Sequence, residues 1–306
     1  MRVAARHPSI DIESTMLTSS ALLRSAALCA GVAIAALTST AARPAHAAEA
    51  VASVRLYTVD CGRVDISDMA SLADTGEYDG KPGKLVAPCF IVRHPKGTLL
   101  WDTGLGDKLA DVKEGVVDGP FHSHVDTRLS DQMKAIGLGP ADIDYVSFSH
   151  LHFDHTGNAN LFGGGTTWLL SKPELDWAVG NPTPFGVDPA SFSAYKTAKL
   201  VMIGSDHDVF GDGSVRILAA PGHTPGHKVL LLKLQKSGAV MLSGDLYHTI
   251  ENRKHARMPA FNTSRAETLA SFSRIETIVK NTRARFVIQH APESFASMPK
   301  FPAYLE

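Results

Sequence analysis

Three histidines and an aspartate fall within six residues, at His150, His152, Asp154 and His155. Imidazole nitrogens and carboxylate oxygens are donors that borderline divalent cations accept, zinc first, with manganese, cobalt or iron admissible by ligand type. Burying four such groups without a cation to neutralise and coordinate them would be costly. Further donors stand at His223 in Pro221-Gly222-His223, at Asp245 after Gly244, and at His290 after Gln289. Taken singly, His223 and His290 read as ordinary core or surface histidines, and Asp245 as turn chemistry. What sets them apart is that each follows an apolar run, at 145–149, 215–219, 239–243 and 286–289. If these runs are strands sharing one rim, five His and two Asp converge on it. Seven donors exceed one tetrahedral zinc but suit two metals sharing a bridge. Neither Cys61 nor Cys89 lies in the set, which argues against a closed structural zinc site.

The elements that must hold these donors are legible as periodicities. Runs rich in Val, Ile and Leu, bounded by Gly, Pro, Asp and Ser, predict strands at 54–59, 86–93, 98–102, 145–149, 167–171, 200–203, 215–219, 229–234, 239–243 and 286–289. A helix is predicted over 264–280, capped within 262–264, with Leu269, Phe272, Ile275 and Val279 on one face. Weaker helical patterns cover 127–136 and 173–179. Many strands with interspersed helices imply sheets covered by helices. Two stretches, 65–84 and 109–125, read as long surface loops of the kind that wall a substrate pocket.

Composition fits a globular protein: 306 residues, 44% hydrophobic and 20% charged, with 14 His. Arg24, the apolar run 25–37 and the small-x-small signal Ala45-His46-Ala47 predict an export leader over 1–47. Asp11 and Glu13 are unusual in such a leader, and translation from Met16 would remove them. The apolar run is too short for a permanent membrane anchor. The expected domain arrangement is therefore a leader over 1–47 and one catalytic domain over 48–306, periplasmic or secreted. Losing four Arg and two acidic residues takes the formal charge from −1 to −3, and no basic run recommends a nucleic-acid partner. Cys61 and Cys89 either pair in an oxidising compartment or remain buried thiols.

The motif His150-Leu151-His152-Phe153-Asp154-His155 resembles the signature of the metallo-β-lactamase superfamily. The resemblance extends from Val54 to the end and takes in Asp102-Thr103-Gly104, Pro221 to His227, Gly244-Asp245 and Gln289-His290. It implies an α/β fold, an αββα sandwich of two mixed sheets covered by helices, with the metals at one edge. By the same resemblance His150, His152 and His223 hold one metal, and Asp154, His155 and His290 the other. Asp245 bridges them, Asp102 orients ligands, and His227 supports the site without ligating.

Within that superfamily the chain is most similar to N-acyl homoserine lactonases, on Arg55-Leu56-Tyr57, Cys61-Gly62-Arg63, the six-residue motif and Phe301-Pro302-Ala303-Tyr304. This implies two divalent metals, most simply zinc, and opening of an acyl homoserine lactone ring by a metal-bound hydroxide, with Asp154 and Asp245 handling protons. Such lactonases often carry a tyrosine three positions after the bridging aspartate. Here that position is His248, with Tyr247 one residue earlier, and the role falls to either or is absent. Met69, Phe121 and Phe153 are candidates for an acyl-chain wall. A β-lactamase would usually have Cys or Ser at position 245, and a diiron oxygen reductase would need Glu at position 152. Organophosphate, ester and thioester hydrolysis share the ligand set; a mononuclear-iron persulfide dioxygenase or a non-catalytic metal binder would be a different class.

Overall fold

The computed structural model describes residues 50–306, so the leader and the Met16 start lie outside it. The chain opens with β1 (Arg55–Val59), β2 (Arg63–Ile66), β3 (Gly83–Val86), β4 (Cys89–His94) and β5 (Gly97–Trp101). There follow β6 (Val116–Asp118), β7 (Phe121–His124), α1 (Leu129–Ala135), β8 (Tyr145–Ser147), α2 (Phe153–Thr156), β9 (Thr167–Leu170), α3 (Lys172–Ala178) and β10 (Lys199–Met202). The last part contains β11 (His207–Asp208), β12 (Val215–Ala219), β13 (Lys228–Leu234), β14 (Gly238–Leu242), α4 (Ile250–His255), α5 (Arg265–Thr282), β15 (Arg285–Val287), α6 (Pro292–Ala296) and β16 (Tyr304–Leu305).

Two mixed sheets form the centre, ordered β10-β9-β8-β5-β4-β1-β16 and β11-β12-β13-β14-β15. Alternation of side chains along each strand decides which layer a residue joins. Leu99 and Trp101 of β5 meet Leu230, Leu232, Val240 and Leu242 of the second sheet, forming the layer between the sheets. Leu100 points the other way, into a layer shared with Leu129 and Met133 of α1 and Leu175 of α3. Likewise Val229, Leu231 and Met241 face Phe272, Ile275 and Val279 of α5. Helix, sheet, sheet, helix is thus the order of layers, the αββα arrangement read from the motifs.

Every predicted run above forms a strand, with ends shifted by a residue or a few. The expected helix at 264–280 is α5, capped where Ser264 Oγ accepts from Glu267 N–H. Its inward face is Thr268, Ser271, Phe272, Ile275 and Val279, while Leu269 is exposed. The stretches 65–84 and 109–125 are only partly loop. Their ends pair as a third, antiparallel sheet, β3-β2-β7-β6, whose strands are too short to print a period on the sequence. Cys61 and Cys89 form a disulfide that ties the turn after β1 to the start of β4. Among the described residues no helix is long and apolar enough to cross a membrane.

The rim follows from strand direction. Strands β5 and β8 are parallel, and β12, β14 and β15 share one direction because β12 and β14 each pair antiparallel with β13, while β14 and β15 are parallel. Their carboxyl ends deliver Asp102, Ser149-His150, the Pro221-Gly222-His223 loop, Asp245 and Gln289-His290.

Candidate metal centre

Four side chains converge first. His150 Nε2 lies 2.8 Å from His152 Nδ1, and His223 Nε2 is 3.2 Å from each of those atoms. Asp245 Oδ2 stands 3.6 Å from His150 Nε2 and 3.4 Å from His223 Nε2. The second group is built on His155 Nε2 and His290 Nε2, 3.1 Å apart, with the Asp154 carboxylate at 3.7 and 3.5 Å from them. Asp245 Oδ1 faces this pair at 3.2 and 2.9 Å. One carboxylate therefore presents one oxygen to each group.

The tautomers are fixed from behind. Nδ1–H of His223 donates to Asn262 Oδ1 at 2.8 Å, and Nδ1–H of His290 donates to the Val86 carbonyl at 2.6 Å. His155 Nδ1 is 3.0 Å from Asp102 Oδ2, which also accepts from Gln289 Nε2 at 2.5 Å, while Asp102 Oδ1 accepts from Ser149 N–H. These contacts leave each Nε2 lone pair pointing inward, as ligand histidines require. His227 donates Nδ1–H to the Ala220 carbonyl and accepts Asp245 N–H at its Nε2, so both its nitrogens are engaged in holding the Asp245 backbone in place. Two glycines make room. Gly244, at φ 48°, would place a Cβ 2.6 Å from Ser149 and 2.7 Å from His227, and Gly186, at φ 76°, would place one 2.9 Å from the His152 ring.

Charge follows burial. Desolvation holds His150 and His223 well below the ordinary imidazole range and His152 at about 4, so all three are neutral donors near pH 7. Burial also opposes charge on His155 and His290, but Asp245 and its neighbouring carboxylates outweigh it and raise both. Burial would raise Asp245, yet the surrounding imidazoles hold it well below the carboxylate range. No hydrogen bond of usable geometry reaches buried Asp245 Oδ1. An anionic oxygen without a well-aligned donor, set among imidazole nitrogens, fits a cation. Spacings near 3.2 Å also match a tetrahedral cation with nitrogens about 2.0–2.1 Å away.

All seven candidate ligands, His150, His152, Asp154, His155, His223, Asp245 and His290, are thus brought together in two groups. His248 is at the centre too. Its Nε2 lies 3.0 Å from Asp245 Oδ2, its ring stacks on His290, and its Nδ1 is buried without a protein partner. Tyr247 is not. It stacks on Phe272 at 4.2 Å within the layer under α5, where burial pushes its hydroxyl upward, because neighbouring residues of an extended backbone point to opposite sides. Met69 packs in the cluster of the third sheet, whereas Phe121 and Phe153 line a largely apolar cavity of about 440 Å³. Phe261 joins the centre as well, its ring 5.7 to 6.3 Å from those of His223, His248 and His152. An isolated Phe in a loop carries no periodicity that would have singled it out.

The fold and this paired centre define a class. Residues 82–284 match the family model of the Metallo-beta-lactamase superfamily, and the chain belongs to that superfamily. Among curated relatives, the N-acyl homoserine lactonase AttM of Azorhizobium caulinodans is 28% identical over 84% of this chain and 100% of its own length. The lactonase AiiA of Bacillus thuringiensis subsp. kurstaki is 27% identical over 82% of this chain and 98% of its own. A solved N-acyl homoserine lactone hydrolase with N-hexanoyl-L-homoserine at its catalytic metal center superposes with a TM-score of 0.72. It is 26% identical, and the match covers 83% of this chain and 100% of that one.

Proposed function

We propose that this protein is a dinuclear, zinc-dependent N-acyl homoserine lactonase of the exported compartment. The observation that carries the reading is Asp245, whose two oxygens address two separate ligand groups. Two divalent cations held there would make hydroxide available near neutral pH and polarise a carbonyl oxygen. The protein's own groups do the rest. Asp154, the only ligand side chain with appreciable exposure at 15%, opens toward incoming substrate. In this reading Asp154 and Asp245 take the proton of the attacking water and return it to the alkoxide released when the ring C–O bond breaks. His248, beside the Asp245 carboxylate and with one ring nitrogen lacking a protein partner, is the side chain we assign to stabilising the developing oxyanion.

The apolar cavity beside Phe153, lined also by Leu109, Val112, Val116 and Phe121, supports an acyl chain as the remainder of the substrate. The disulfide supports an oxidising compartment, in line with the leader expected over 1–47. The test is hydrolysis of short- and long-chain acyl homoserine lactones by purified, metal-quantified protein, followed by acidification. Ring-opened product that re-closes in acid is expected. An amide-cleavage product, or cleavage of aryl phosphotriesters with no lactone opened, would overturn the substrate assignment.

A further inference from the structure

Glu174 lies on α3, which contributes no ligand, and its side chain is buried deep beneath the site. Its Oε1 accepts Leu151 N–H at 2.9 Å, from the residue between His150 and His152. Its Oε2 accepts Thr224 Oγ1–H at 2.6 Å and Gly226 N–H at 2.9 Å, from the loop that begins with His223. One carboxylate therefore ties together the two loops that carry His150, His152 and His223. The close approach is built in. A Cβ on Gly226 would lie 2.4 Å from Ser171 Oγ and 2.6 Å from Glu174 Cβ, so only glycine lets this loop reach the start of α3.

The other group is held differently. His155 is oriented by Asp102 and His290 by the Val86 carbonyl, and the bonds that Glu174 makes go to Leu151, Thr224 and Gly226. A buried carboxylate that accepts three donors fixes each of them, and a neutral substitute cannot accept all three, because an amide presents N–H toward one donor.

We propose that Glu174 is the positioning residue of the first metal, setting the His150, His152 and His223 nitrogens at their mutual spacing while leaving the second metal to Asp102. The inference rests on the two-metal reading above and adds to it a division of labour between two buried acids. It requires that loss of Glu174 strip one metal and spare the other.

The test uses full-length, metal-loaded protein. Zinc is titrated against a chelator, and cobalt-substituted protein is examined for the shifted imidazole N–H resonances of His223, His155 and His290. Wild type should bind two metals. E174Q should hold one with wild-type affinity and bind the other roughly 10–100-fold more weakly, the usual cost of losing an outer partner of a ligand. At limiting cobalt the His223 signal should vanish while those of His155 and His290 persist. D102N, which disturbs His155 directly and His150 only through Ser149, should weaken the second metal more than the first. Should E174Q not fold, T224V, which removes a single donor and leaves Glu174 in place, should move the same affinity by a smaller factor. Two metals bound by folded E174Q or T224V with unchanged affinities would overturn the proposal, and so would loss of both metals together. Fewer than two metals in the wild type would instead sink the two-metal reading, and this inference with it.

Discussion

His248 follows Asp245 by three positions, and what can be expected of it depends on its two ring nitrogens. Its Nε2 lies 3.0 Å from Asp245 Oδ2, while its buried Nδ1 has no protein partner. H248A should therefore lower kcat by roughly 10²-fold, in the range found for removing one oxyanion donor, with metal content unchanged. Steady-state kinetics alongside metal analysis checks this, and an unaltered kcat would remove His248 from catalysis. His227 makes a separate prediction, about pH. Burial lowers its pKa to about 4, against about 6.5 for an exposed imidazole, so the unfolded chain binds the proton more tightly between those values. Its neutral form thus contributes stability that is full above pH 6.5 and is lost as pH falls toward 4. His155 and His290, held above the ordinary range, act with the opposite sign, so only a difference between variants isolates His227. H227Q, which can keep both hydrogen bonds, should flatten the dependence of the urea midpoint on pH between 6.5 and 4. The effect should approach about 1.4 kcal/mol per pH unit. At this scale the sequence was most informative for the ligands, because six-residue spacing and strand ends are local signals. Neither Glu174 nor Phe261 could be seen, since each acts through residues far away in the chain.

The strands of the two central sheets were legible because apolar runs of four or more residues between turn residues leave an unambiguous mark. The third sheet was not. Its strands span three or four residues, and β6 is wholly exposed, so no inside-outside alternation distinguishes it from loop. Yet that sheet shapes the cavity beside Phe153, to which β6 supplies Val116 and β7 supplies Phe121. The double variant V116S/F121S should reduce kcat/KM for long-chain lactones more than for short-chain ones, as a comparison of hexanoyl and dodecanoyl substrates would reveal. Equal losses for both would detach the hairpin from chain recognition. The disulfide likewise acts between elements. It closes a loop across 28 residues, and C61S/C89S should lose about 3–4 kcal/mol of unfolding free energy on the chain-entropy account. Chemical denaturation of metal-loaded protein measures the loss, and a midpoint unmoved by the double substitution would contradict it.

At the scale of the whole molecule, the layers explain how one rim can collect donors from both sheets. His150, His152, Asp154 and His155 come from the end of β8 in one sheet, whereas His223, Asp245 and His290 come from β12, β14 and β15 in the other. Metal would therefore bind the assembled sandwich and not its halves. Removing it with a chelator should lower the thermal midpoint, and restoring zinc should recover it. A hundredfold excess of free zinc over its dissociation constant adds about 2.7 kcal/mol per site. A midpoint indifferent to chelation would mean that the groups hold no tightly bound cation.

The bridging position of Asp245 has a consequence for how the site fills. Each oxygen of this carboxylate faces a different ligand group, so on the two-metal reading an ion held in one group would orient the oxygen offered to the other. Filling is then stepwise, because separate buried acids hold the two groups from behind. At substoichiometric zinc, molecules carrying a single ion should be populated, and native mass spectrometry counts these species directly. An enzyme filled in this way gains activity only with its second ion, which makes the supply of the ion, as much as that of the substrate, a control on its output.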